Sequence, residues 1–238
     1  MLDEYLRLPT ESENLDLPSL EDKFRLVAFG DSITEVTALE RPQRWTGILE
    51  ASLGGRAAVV NAGIGGTSST LGLFRWKRDV APVKPHCLVV NFLLNDSHVR
   101  HYECPSSYVV QCTPDQMVSN LTTIVERAAD LGAATVFWSP PPVPPFRDAF
   151  QSTNHMEIQI HLIEHYLWHL ERLAAELQVP LANFWRTFPT LVEEFPGPYF
   201  TPPDGYHTTA AAQPILAKAI AEAVRPIYHA WEKTHPTR

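Results

Sequence analysis

Cysteine is scarce in this chain, with three in 238 residues. Three thiols are too few for a disulfide framework, so the fold must rest on a hydrophobic core. Cys87 lies inside an apolar run and reads as core. Cys104 and Cys112 flank one loop and could pair, although a reducing compartment would keep them as thiols. Long apolar runs are missing too. No stretch approaches the roughly 20 residues a membrane helix needs, and "MLDEYLRLPTESENLDLPSLED" has no basic segment leading into an apolar one. The expectation is a soluble, cytoplasmic protein with no membrane span. Positive charge is in deficit. With 19 Lys and Arg against 27 Asp and Glu, the formal net charge is −8, which argues against nucleic acid as a partner.

What is present is an ordinary globular composition, 45% hydrophobic and 19% charged, enough for a sizeable core. We expect one domain over residues 1–238, with 1–22 as a loosely packed N-terminal arm. Five short apolar runs with little alternation read as buried strands: Phe24–Phe29, Ala57–Asn61, Cys87–Leu94, Thr135–Trp138 and Pro180–Phe184. Helical patterns separate them. "RWTGILEASLGG" stops at a glycine pair. Residues 113–132 have Thr113 as N-cap, Pro114 at the first helical position and Gly132 as terminator. Two further helices are expected, at Asn154–Leu177 and Thr208–Tyr228. Strand–helix alternation of this kind predicts an α/β fold, a parallel sheet covered on both faces.

Ligands of such sheets sit outside the carboxyl ends of the strands, so the strand ends carry the argument. The first ends in Gly30-Asp31-Ser32, and the second in "NAGIGGTSS", residues 61–69. The third ends in Leu94-Asn95-Asp96, and "PPDGYHTT", residues 202–209, precedes the last helix. A serine hydroxyl needs an adjacent base, and the base needs an orienter. His207 fits the base, and Asp204 fits the acceptor of its Nδ1–H. An oxyanion would need donors; the Ser32 N–H, a glycine N–H of the second loop and the Asn95 amide fit. Each part alone has a plainer reading. Asp31 and Ser32 suit a helix N-cap, "GIGG" suits a tight turn, and Asn95-Asp96 is a common turn pair. Their succession at consecutive strand ends favours catalysis.

The four blocks "GDSIT", "NAGIGGT", "LLND" and "DGYH" resemble those of the SGNH hydrolases, the GDSL esterase/lipase family, over about Phe24 to Ile227. The resemblance implies a flavodoxin-like α/β/α sandwich of about five parallel strands. It also implies ester hydrolysis through an acyl-enzyme, without metal or cofactor. Ser32 would be the nucleophile, with Asp204 and His207 completing a triad. Ser32, Gly66 and Asn95 would form the oxyanion hole, with Gly63 and Gly65 competing for the role of Gly66. "GDSITE", "NDS" and the Pro140–Pro142 run are most similar to the isoamyl acetate-hydrolysing esterases. One departure is Leu93, where the family pattern has glycine.

The implied partner is a small-molecule ester, and a homo-oligomer is compatible with the sequence. An acyltransferase, a carbohydrate or lipid deacetylase, and a catalytically silent binding module are the competing readings. Leu93, Leu94, His98, Pro141, Val143 and Phe146 are candidate pocket residues. Residues 97–112 form a long connection leaving the same edge, suited to a lid or wall with Tyr102 and Tyr108 as contacts. His161, His165 and His169 share one helix face; with Arg172 and Glu176 beside them, a solvated face is expected there and no metal site.

Overall fold

The computed structural model describes residues 10–14, 17–101, 108–142, 153–188 and 206–236. The apolar runs form strands β1 (Phe24–Gly30), β2 (Ala57–Gly63), β3 (Cys87–Asn91), β6 (Ala134–Trp138) and β7 (Leu181–Ala182). They make one parallel sheet in the order β2-β1-β3-β6-β7. Every residue of β2 and β3 is buried, which is why these strands read as continuous apolar runs. A separate antiparallel ribbon pairs β4 (Val99–His101) with β5 (Tyr108–Val110), so the long connection after β3 leaves as a hairpin. Residues 102–107, with Tyr102 and Cys104, lie outside the described residues.

The helices are α1 (Ser32–Glu35), α2 (Trp45–Leu53), α3 (Ser69–Asp79), α4 (Leu93–Asp96), α5 (Pro114–Asp130), α6 (Thr153–Glu176) and α7 (Gln213–Thr234). Helices α2 and α7 pack together, while α3 packs on α5 and α5 on α6. The result is the expected three-layer α/β/α sandwich. At α5, Thr113 and Gln116 form a reciprocal capping box, and Gly132 follows the helix with φ 75°, as its sequence signals predict.

Strands β1 and β2 run one and two residues further than expected, to Gly30 and Gly63, and three other elements differ more. Strand β3 stops at Asn91 because its Oδ1 accepts the Leu93 N–H at 3.0 Å, turning the chain into α4. Strand β7 has two residues, with a helical segment at 184–188 directly behind it. Helix α7 starts later, after a 3₁₀ turn at Ala210–Ala212, and runs on through Pro226 to Thr234. Buried Tyr228 and Trp231 continue its apolar face. The described part of the N-terminal stretch is docked rather than loose. Its turn at Glu11–Asn14 lies against β2 and α3, with Thr10 and Ser12 buried.

Open sheet edges invite pairing with other chains, and the β2 edge is closed by charge. The Val59 N–H donates to Glu50 Oε2 at 2.7 Å and the Asn61 N–H to Glu11 Oε2 at 2.9 Å. Arg41 holds both Glu50 oxygens and donates to the Val59 carbonyl.

Candidate active site

The strand register sets the site. Gly30 of β1 lies beside Gly63 of β2 and Asn91 of β3, so three chains leave the sheet at one level. Strand order changes direction between β1 and β3, the position where open α/β sheets bind ligands. The same side-chain-to-backbone bond recurs at each of the three strand ends. Asp31 Oδ1 accepts the Ile33 N–H at 3.1 Å, Asn61 Oδ1 that of Gly63 at 2.9 Å, and Asn91 Oδ1 that of Leu93 at 3.0 Å. After β1 and β3 this bond turns the chain into a helix, whereas β2 stays in register with β1 through Gly63.

Asp31 is therefore the N-cap of α1, as the plainer reading of "GDS" has it. It also does more. Its side chain is fully buried, and Oδ2 accepts from Asn95 Nδ2 at 2.9 Å. One carboxylate thus joins the Ser32 turn to the Asn95 turn. The amide nitrogen of Asn95 keeps a second hydrogen. Behind Ser32, the one-turn helix α1 closes at Val36 in a left-handed conformation, φ 51°, rare for a β-branched residue.

The three competing glycines separate on their hydrogen bonds. The Gly63 N–H is taken by Asn61 and the Gly65 N–H by Glu35 Oε2, the latter at 2.8 Å. Among the described residues neither the Gly66 nor the Ser32 N–H has a partner. Gly66 has φ 72°, a conformation that favours glycine. At Gly63 the need is for space, since a Cβ there would lie 2.3 Å from the Glu35 nitrogen of α1.

Two clefts meet at Ser32 and His207. One, of about 380 Å³, is walled by Gly65, Gly66, Leu94, Asn95, His98 and Tyr206. The other, of about 300 Å³, runs along Ile33, Val36, Thr37 and Ala38 to Thr208. Of the expected pocket residues, Leu94 and His98 line the first cleft. Leu93 lines neither; it is 2% exposed and belongs to the core. Successive helical residues point about 100° apart, so with α4 beginning at Leu93 it is the next residue that faces out. Pro141 is buried and lines neither cleft. Val143 and Phe146 lie outside the described residues, and so does Asp204.

The segment carrying His207 is tied to the segment carrying Ser32 by residues that sequence reasoning missed. Gln213, fully buried, accepts the Trp45 N–H at 2.9 Å and donates to Thr208 Oγ1 at 2.8 Å. Trp45 Nε1 in turn donates to the Ile33 carbonyl at 3.2 Å. Tyr206 and Glu35 were also missed; only their adjacency to the motifs could have signalled them.

Two buried carboxylates lie under the site. Burial pushes Asp31 up to about 6, although the bonds from Asn95 and Ile33 and nearby His207 favour its charged form. Asp96 is pushed up to about 7 by burial, with the charge of Asp31 adding to the effect and the Ser69 N–H opposing it. Its Oδ1 accepts that N–H at 2.8 Å, while Oδ2 has no hydrogen-bond partner among the described residues. Nearby, Cys112 is a free, buried thiol contacted by Ser69, Thr70 and Asn120. Burial raises its pKa, so it is not primed as a nucleophile.

On α6, His161 and His165 are exposed and His169 is half-buried. Among the described residues no three metal-ligating side chains converge, and no helix is long and apolar enough to cross a membrane.

A row of strand ends at the switch point, with a hydroxyl, an imidazole and N–H donors that have no partner among the described residues around one cleft, is an arrangement suited to hydrolysis. The family model of the GDSL-like lipases/acylhydrolases matches residues 28–214, and the chain belongs to that family. Its fold is similar to that of TesA, with a TM-score of 0.64 and 25% identity over 85% of this chain and 99% of the other. A GDSL-like lipase from Bacteroides thetaiotaomicron VPI-5482 superposes with a TM-score of 0.65 at 22% identity, covering 95% and 99% of the two chains. The acetyl xylan esterase AlAXEase gives 0.66 at 18%, covering 84% and 99%. Among curated sequences, the uncharacterized lipoprotein YqeF of Bacillus subtilis (strain 168) is 34% identical over 79 residues, 31% of this chain and 32% of that protein. The chain thus matches about a third of that relative's length.

Proposed function

We propose that the protein is a serine esterase that hydrolyses small carboxylic esters through an acyl-enzyme. The observation that carries this reading is the meeting of two clefts at Ser32 and His207, with the Gly66 N–H and the Asn95 amide walling one of them. An ester carbonyl has two arms, and two clefts at the nucleophile accommodate both. Their volumes, about 380 and 300 Å³, lie at the small end of the usual ~300–1,000 Å³ for ligand sites, which favours short acyl and alcohol groups. The likeness of "GDSITE" and "NDS" to the isoamyl acetate esterases agrees with that size.

In this mechanism Ser32 Oγ attacks the carbonyl carbon as His207 takes its proton, and Asp204 accepts from the other ring nitrogen. The carbonyl oxygen becomes an oxyanion held by the N–H groups of Ser32 and Gly66 and the free hydrogen of Asn95. Collapse breaks the carbon–alcohol oxygen bond, and His207 returns the proton to the leaving alcohol. Water, deprotonated by His207, then releases the acid and restores Ser32. Asp31 serves indirectly by fixing the rotamer of Asn95.

The test is turnover of p-nitrophenyl acetate by the wild type and by Ser32→Ala, with fluorophosphonate labelling of both. We expect turnover and labelling in the wild type and neither in the variant. A variant retaining a tenth of the activity would refute Ser32 as nucleophile. A wild type that neither turns over nor labels would favour a binding module. Faster product release with an alcohol acceptor would favour an acyltransferase.

A further inference from the structure

Resting on the esterase reading, we propose that Arg75 is a positioning residue that locks the nucleophile's turn to the Gly66 loop, and that Thr10 and Ser12 complete its brace. Arg75 stands on α3, and its side chain is fully buried. A buried guanidinium is costly unless paired and hydrogen-bonded; both terminal nitrogens of this one donate at the two strand ends that frame the site, while Nε has no hydrogen-bond partner among the described residues. Nη2 donates to the Gly30 carbonyl at 3.1 Å, the residue before Asp31 and Ser32. The same Nη2 lies 3.4 Å from Thr67 Oγ1, the residue after Gly66. Nη1 donates to the Ala62 carbonyl at 3.1 Å and to Asp79 Oδ2 at 2.6 Å. The cation also sits over the Phe29 ring, 5.0 Å from its centre.

The Gly30 carbonyl is the hub. It also accepts from the Ile64 N–H at 3.1 Å, and Thr67 Oγ1 lies 3.3 Å away with its single hydrogen given to the Ile64 carbonyl at 2.7 Å. The Ile64 N–H of the Gly66 loop and the Arg75 guanidinium of α3 therefore converge on the oxygen immediately before the nucleophile's turn. Ser32 and Gly66 lie within a few bonds of this hub, and their N–H groups must converge on one oxyanion. Displacing such donors by about 1 Å is enough to cost on the order of a hundredfold in rate.

Asp79 holds the other end. It neutralises Arg75 and also accepts from Arg78 Nε at 2.6 Å and Thr10 Oγ1 at 3.1 Å. Ser12 Oγ donates to the Asp79 carbonyl at 2.7 Å. The brace thus runs from the docked N-terminal segment, outside the matched family region, through Asp79 and Arg75 to the oxyanion side of the cleft. Lysine would keep the charge but not the fork, because one ammonium cannot reach two strand-end carbonyls and a carboxylate in these directions.

The experiment compares the wild type with Arg75→Lys and with the double variant Thr10→Val/Ser12→Ala. Each is assayed with p-nitrophenyl acetate, and active sites are titrated with a fluorophosphonate. We expect kcat per titrated site to fall about tenfold or more in Arg75→Lys, with KM changed less than about twofold. The double variant should show a smaller fall of the same kind. A purely structural Arg75 would lower the melting temperature and the number of titrated sites but leave kcat per site unchanged, and that result overturns the inference alone. If Arg75→Lys does not fold, the double variant decides by the same criterion. A wild type without turnover or labelling overturns the esterase reading and this inference with it.

Discussion

Replacing Asn95 with alanine tests the site at its most connected point, because Asn95 Nδ2 serves two groups. One hydrogen goes to Asp31 Oδ2 at 2.9 Å; the other is assigned to the oxyanion. Losing an oxyanion donor costs roughly 100- to 1,000-fold in kcat, about 2.7–4 kcal/mol, with little change in KM because the charge exists only during reaction. Losing the bond to Asp31 acts on stability instead. A hydrogen bond to a buried charged group contributes about 1.5–3 kcal/mol, equivalent to roughly 3–12 °C in melting temperature for a domain of this size.

The stability part carries a pH signature. Asp31 already titrates at about 6, above its unfolded value, and removing the Asn95 donor moves it higher. For a carboxyl group with a raised folded pKa, the stability present at acid pH is lost as pH rises through that pKa. The deficit of Asn95→Ala should therefore be largest near pH 8 and shrink near pH 5, where Asp31 is protonated in both proteins. The assay is kcat per fluorophosphonate-titrated site, with urea midpoints at the two pH values. Near-normal kcat per site would refute the oxyanion role. A deficit equal at pH 5 and pH 8 would refute the coupling to Asp31.

Two other expectations follow from buried polar groups. Asp96→Asn should stabilise the protein at pH 8 by about 1–4 kcal/mol and have little effect near pH 4, because a carboxyl raised to about 7 loses stability as pH rises from its unfolded value through 7; a variant less stable than the wild type at pH 8 would contradict this. Gln213→Leu orphans the buried Trp45 N–H, which should cost about 1–3 kcal/mol. It should also lower kcat by loosening the His207 segment, and unchanged thermal melting together with unchanged kcat would refute that brace.

The sheet was legible because its strands are covered on both faces, so burial wrote itself into the sequence as apolar runs. The ends were less legible, for a local reason. In "VVNFLLND" nothing apolar stops at Asn91; the strand ends because the Asn91 side chain captures the Leu93 N–H, and an asparagine in a strand can equally leave that bond unmade. At the other end of the chain, Pro226 removes one helical hydrogen bond. Buried Tyr228 and Trp231 supply the packing that carries α7 past it.

The residues proposed to react were singled out for the opposite reason. They are polar groups in short blocks, Ser32 and Asn95 just beyond the ends of apolar strands and His207 just before the last helix. Their supports were not, because a support is defined by its partner. Arg75 meets Gly30 across 45 residues, and Gln213 meets Trp45 across 168. The choice among the glycines of "GIGG" is of the same kind. Gly65 is withdrawn only because Glu35 reaches its N–H from α1, while the Gly66 N–H has no partner among the described residues. Leu93 completes the argument. A side chain in place of the family glycine suggested an altered pocket, but the backbone at Leu93 is helical, outside the positive-φ region, and its side chain turns into the core. A glycine is required only where φ is positive or space is absent. Neither condition holds here, so the departure from the family pattern is absorbed by packing, and the side chain facing the cleft is that of Leu94.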